Sequence, residues 1–271
     1  QKTAYEIVSR DWSSDVCSSD LASLRRPDAS YRLQLRREPT RHRETREPMP
    51  FLVRLLYRIN DAAPWLKRMV PRGLHRFVLL KFLDINKDYD VMLRENPERL
   101  FLSNEVMPWV AANCRKVLFV GTSSYTYQYE TLFSDDPDRY FTIDKLASLR
   151  LWGSKHHIVA PLQDVHLHCP PAFFDAIVCN GVLFYKIPET GDHGIGGTPR
   201  EMDELSSALA KVLKPGGLMV FGWNGNDEPP NLSMSTLLAP RFAPDPSVPW
   251  GARQTFPGDA HAFEFFRRTS V

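Results

Sequence analysis

The chain has 271 residues, of which 43% are hydrophobic and 24% charged, with 34 Lys and Arg against 32 Asp and Glu and a formal net charge of +2. That composition suits a globular fold with a buried core and is unlike a disordered, collagen-like or disulfide-dense chain. There is no run of about 18 apolar residues that would span a bilayer.

The charge is unevenly distributed. Residues 11–21, DWSSDVCSSDL, resemble the in-frame translation of a short sequencing adapter, and residues 22–48 are Arg-rich without an apolar period. Residues 1–48 read as a leader, with Met49 as the expected native start and a genuine basic tail as the alternative. They carry 10 bases and 8 acids, so 24 of each remain and no basic domain argues for nucleic acid. Of the four cysteines, Cys17 lies in the adapter-like stretch. Cys114, Cys169 and Cys179 lack metal or disulfide spacing, which fits reduced thiols of a cytoplasmic protein.

Residues 49–95 form the next segment. Seven bases against Asp61 fall within 49–81. Short helices broken at Pro64 and Pro71 are expected over 51–82, with Leu74, Phe77, Val78 and Phe82 on one face and Arg72, Arg76 and Lys81 off it. Two readings stay open for this stretch: a helical cap with a solvated basic face, or a peripheral contact with an anionic membrane surface.

Asn96-Pro97-Glu98 is a helix start, and the helix, or a pair broken near Pro108, leads to Cys114. Val117–Val120 is a strand reaching Gly121, followed by a helical pattern with Tyr125, Tyr129 and Leu132 on one face. A second strand closes at Asp144, 23 positions after Gly121. In nucleotide-binding sheets the turn after the first strand admits the ligand to backbone N–H groups, and an acid roughly 20 positions on accepts the ribose hydroxyls.

A short helix is then expected from Lys145 to Trp152, stopped by Gly153, with strands at 157–160 and Phe174–Asn180. A loop with Gly191, Gly194, Gly196 and Gly197 follows. Thr198-Pro199-Arg200-Glu201 is a capping box opening a helix that stops at Lys214-Pro215-Gly216-Gly217, a turn before a strand at 218–222. A short helix near 232–238, a Pro-rich crossover and an aromatic strand at 261–267 end the chain. Strands alternating with helices give a parallel α/β sheet.

Four segments in this order, VLFVG at 117–121, YFTID at 140–144, FDAIVCNGVL at 174–183 and LKPGGLMVFGWN at 213–224, resemble class I S-adenosylmethionine-dependent methyltransferases over residues 96–271. The resemblance implies an α/β, Rossmann-like doubly wound sheet. It would be mostly parallel with an antiparallel last strand, seven strands in all, behind the N-terminal helical cap. It also implies S-adenosyl-L-methionine as cofactor. Gly121, Thr122 and Ser123 would line the methionine end and Asp144 would hold the ribose, the turn and the acid facing one crevice with the cofactor between them. Leu162 and Gln163 would edge the adenine, and Asn180 with Gly181 would lie beneath the transferable methyl. Two departures stand out. Ser123 and Tyr125 replace the second and third glycines of the family's first loop, and no acid directly follows the third strand.

The ends of the fourth and fifth strands make Tyr185, His193, Trp223 and Asn224 candidates on the substrate side, His193 as a general base. His156-His157 and His166/His168 lack the partners of a metal site. The implied activity is in-line methyl transfer to a small-molecule or lipid-like acceptor. The alternatives are a methyltransferase-like binding or scaffold domain without catalysis, and a nicotinamide-dependent reductase, whose pattern has neither the Pro-Gly-Gly turn nor the late aromatic strand.

Overall fold

The computed structural model describes residues 71–82, 96–182, 198–224, 238–239, 241–257 and 261–270. The expectations for the leader, for 51–70, for the loop with Gly191–Gly197 and for the helix near 232–237 lie outside them. Chain contacts divide the molecule into Gln1–Ile85 and Asn86–Val271. In the first unit, α1 (Arg72–Phe82) is the described element, with Leu74 and Phe77 exposed along it. Among the described residues no helix is long and apolar enough to cross a membrane.

The second unit opens with α2 (Pro97–Phe101) and α3 (Met107–Asn113), joined without a break by a π turn at Leu102–Val106. Pro108 lacks an N–H to give to the preceding turn, and widening that turn keeps the helical run continuous where a break was one expectation. The run ends at Cys114, where Arg139 donates from Nη2 to the carbonyls of Ala111 and Cys114, at 2.6 and 2.9 Å. A side chain distant in sequence thereby satisfies carbonyls that a helix end leaves open.

The strands are β1 (Val117–Val120), β2 (Tyr140–Asp144), β3 (His156–Val159), β4 (Phe174–Asn180), β5 (Leu213–Asn224), β6 (Phe242–Pro244), β7 (Arg253–Thr255) and β8 (His261–Arg268). They form one sheet in the order β3-β2-β1-β4-β5-β8-β6, with β7 also on β8. β1 to β5 pair parallel, and β8 runs antiparallel to β5, β6 and β7. This is the Rossmann-like α/β fold expected, mostly parallel with an antiparallel last strand. The expected count of seven differs in detail: the outer edge of β8 is covered by two short strands laid end to end, which gives eight strands among the described residues.

All four side chains of β1 are buried, as a strand covered on both faces requires. After the short α4 (Val165–His168) the chain forms α5 (Pro199–Val212), and one face packs Leu118, Val120, Ile177, Cys179 and Phe221 under Met202, Leu205 and Leu209 of α5. The other packs Phe119, Val178, Val220, Phe263 and Phe265 under Leu102, Val106 and Val110. The expected capping box is formed: Thr198 Oγ1 accepts from Glu201 N, and Glu201 Oε2 accepts from Thr198 N, both at 3.2 Å. At the foot of the sheet Asp175 takes the N–H of Lys116 at 2.7 Å and the ammonium of Lys214 at 2.6 Å, pinning the starts of β1 and β5 to β4.

Three local expectations are corrected. The helix after β1 is a turn followed by a 3-10 segment, Tyr127–Phe133, because Thr126 Oγ1 accepts from Ser123 N and the Thr131 hydroxyl donates to Gln128 O, bonds that compete with a regular helix. Ala147–Trp152 is likewise a 3-10 segment. Lys214-Pro215-Gly216-Gly217 is no turn before a strand but an irregularity inside β5: Phe174 pairs with Leu213, Ala176 with Leu218, and Gly216 takes φ +71°.

Candidate functional site

The sheet order reverses between β1 and β4, one chain leading to β2 and β3 on one side and to β5 on the other. In open α/β sheets the crevice for a ligand lies there, at the carboxyl ends of the strands. The residues that the sequence singled out occupy that rim: Gly121–Ser123 after β1, Asp144 ending β2, Leu162 and Gln163 in the 3-10 turn after β3, and Asn180 ending β4 with Gly181 just beyond.

The first loop is closely packed. Gly121 has φ +81°, and a β-carbon on it would stand 2.9 Å from Val182 Cγ2, so the backbone conformation and the neighbouring loop both call for glycine. The next N–H, that of Thr122, donates to Asp144 Oδ2 at 3.0 Å, while Leu146 N–H donates to Oδ1 at 2.9 Å. Turn and acid therefore touch, in place of the expected cofactor-wide gap between them. Each carboxylate oxygen still has a second lone pair for a ligand hydroxyl. Burial pushes the Asp144 carboxyl above its ordinary range, and the two backbone N–H groups offset part of that rise.

Three buried polar atoms on the rim have no hydrogen-bond partner among the described residues: Ser123 Oγ, Gln163 Oε1 and Asn180 Nδ2. Buried polar groups are paired in the large majority of cases, so three orphans at the ends of β1, β3 and β4 fit a site that a polar ligand completes. Leu162, beside Gln163, is buried.

Asn180 lies on the α2–α3 face of the sheet with its Oδ1 3.0 Å from His261 Nε2. Nothing near His261 in sequence announces this, since it depends on the register that sets Asn224 opposite His261 across β5 and β8. The other contribution that sequence reasoning missed is Arg99 of α2, whose guanidinium stands 5.0 Å over the Tyr125 ring and whose Nη2 comes within 4.0 Å of where a β-carbon on Gly181 would be. Tyr125 thus has its ring under Arg99.

The substrate-side candidates divide. Tyr185 and His193 lie outside the described residues. Asn224 ends β5, and Trp223 is fully buried in the cluster with α5, its ring 5.7 Å beneath the Arg253 guanidinium. Among the other histidines, His156 Nε2 sits 2.7 Å from Asp138 Oδ1 and His157 Nδ1 2.9 Å from Thr142 Oγ1. Among the described residues, no three His, Cys, Asp or Glu gather as metal ligands.

No family model matches the sequence, and no curated protein matches it. Solved structures do. The chain is similar to the N-methyltransferase NodS from Bradyrhizobium japonicum WM9, at 16% identity and TM-score 0.44, over 64% of this chain and 97% of that one. It is also similar to PH0226 from Pyrococcus horikoshii OT3, at 12% identity and TM-score 0.47, over 68% and 92%. A third is the 1,6-didemethyltoxoflavin-N1-methyltransferase of Burkholderia thailandensis, at 15% identity and TM-score 0.40, over 70% and 90%.

Proposed function

We propose that residues 96–271 form an S-adenosylmethionine-dependent methyltransferase acting on a small-molecule or lipid-like acceptor. The observation that carries this is the coincidence of three orphaned buried polar atoms, Ser123 Oγ, Gln163 Oε1 and Asn180 Nδ2, with a rim already holding a carboxylate at Asp144. The residues fit the cofactor: Asp144 has lone pairs left for a ribose diol, Gln163 an acceptor for an exocyclic amine, and Ser123 a hydroxyl for the amino-acid end. When bound, the sulfonium supplies the methyl group and its own leaving group. The chain's part is then positioning. His261 fixes the Asn180 amide through Oδ1, leaving Nδ2 to the crevice ligand.

A second reading, a binding or scaffold domain without catalysis, draws on two features. Tyr125 stands where the family's loop has a glycine, and the Thr122 N–H is spent on Asp144 rather than open to a ligand. Calorimetry with S-adenosylhomocysteine, followed by a radiolabelled methyl-transfer assay over small-molecule and lipid acceptors, separates the two. Absence of binding at saturation removes the first; binding with a labelled product removes the second.

Contact of the acceptor's membrane with residues 51–82 belongs to the same proposal. Leu74 and Phe77 are 54% and 52% exposed on a helix that carries Arg72, Arg76 and Lys81. Co-sedimentation with vesicles should rise with their anionic lipid content, and indifference to that content would count against the contact.

A further inference from the structure

The Arg99 side chain is only 20% exposed, yet its guanidinium makes no hydrogen bond to any described residue. Its nearest carboxylate is that of Glu98, at 3.8 Å from Nε, beyond hydrogen-bond reach. A largely buried cation with an empty donor fork is costly unless an anion completes it. Its location narrows which anion. It lies over the Tyr125 ring on one side and beside Gly181 on the other, so it bridges the loops after β1 and β4 at the point where the sheet order reverses.

We infer that Arg99, braced on the face of Tyr125, is the carboxylate-binding residue of the crevice and takes the carboxylate of the amino-acid end of the adenosyl sulfonium. This rests on the cofactor reading above and deepens it. A planar fork with two parallel N–H groups matches a carboxylate in bidentate fashion, and the aromatic face beneath holds the guanidinium in plane without consuming its donors. Tyr125 then does not block the loop in which it replaces glycine. It supplies the platform for the cation, and the bare backbone of Gly181 leaves room beside it: a β-carbon there would meet Nη2 at 4.0 Å.

The test uses two ligands that share the adenosyl thioether and differ in the amino acid. These are S-adenosylhomocysteine, which has the carboxylate, and 5′-methylthioadenosine, which lacks it. In titration calorimetry Arg99→Gln should weaken S-adenosylhomocysteine about 10- to 100-fold, the scale of a charged hydrogen-bonded contact, and leave methylthioadenosine unchanged. Arg99→Lys, which keeps the charge but not the fork, should fall between, and it carries the test if the glutamine variant does not fold. Unchanged affinity of Arg99→Gln for S-adenosylhomocysteine overturns the assignment. So does an equal loss of both ligands, which would mark a structural role. Should the wild-type chain bind neither ligand, the cofactor reading itself fails and this inference falls with it.

Discussion

The side chain of Asn180 lies across the bare backbone of Gly222 on the neighbouring strand, so closely that a β-carbon there would stand 2.0 Å from Asn180 Oδ1 and 2.6 Å from Phe263 Cε1. The glycine is what lets the amide lie flat and reach His261. Gly222→Ala should therefore destabilise the fold by about 1–3 kcal/mol, as overpacking does. It should also weaken S-adenosylhomocysteine binding. Denaturant titration and calorimetry on the same variant check both. A folded variant with unaltered affinity would detach Asn180 from the ligand.

Asp144 gives a pH dependence of definite sign. Its carboxyl is raised by burial, so the folded protein takes up that proton at a higher pH than a free carboxylate does. Ligand hydroxyls donate to the ionised form, so proton and ligand compete for it. Affinity for S-adenosylhomocysteine should decline as pH falls, beginning above the ordinary carboxylate range, and the decline should vanish in Asp144→Asn. Calorimetry across an acidic pH series reads this directly.

A second acid acts on stability instead. Burial raises the Asp245 carboxyl, but the hydroxyl and N–H of Ser247 and the Arg267 guanidinium, 2.6 Å away, together outweigh burial and hold it below the usual range. A lowered pKa contributes stability above the unfolded value and loses it as pH falls through the folded one. Asp245→Asn should cost about 2 kcal/mol at neutral pH, less than for a fully buried pair because Arg267 is partly solvated. The difference from wild type should shrink in acid, as thermal melts at several pH values would show.

The thiols should be unreactive in order of burial. Burial pushes Cys114 and Cys169 up to about 11 and Cys179 up to about 12. With Cys17 replaced by serine, Ellman's reagent at pH 8 should label native protein slowly, at half-buried Cys169 first, and reach Cys114 and Cys179 only on unfolding. Rapid labelling of Cys179 would contradict the packing of β4.

β1 and β4 were legible in the sequence because they are continuous apolar runs, and β4 begins and ends where its pattern says, whereas the short β6 and β7 carry no such run. The capping box of α5 was legible for a similar reason: its signal is local, Thr198 and Glu201 being three residues apart. What escaped was set by pairing across the sheet or between layers. His261 reaches Asn180 across 81 positions, and Arg99 meets Tyr125 only because α2 packs on the same face as the loop after β1. The 3-10 segment after β1 was missed because apolar spacing does not register hydroxyls that bond to nearby backbone, as Thr126 and Thr131 do.

The position of β8 bears on how the chain is made. The last of the described strands in chain order is not at the margin of the sheet but between β5 and β6. Until residues 261–268 emerge, β5 presents a long row of unsatisfied amides and carbonyls, and β6 and β7 have nothing to join. Completion of this sheet thus waits on residues 261–268, and a chain that has not yet placed them is the form most open to pairing with the wrong neighbour.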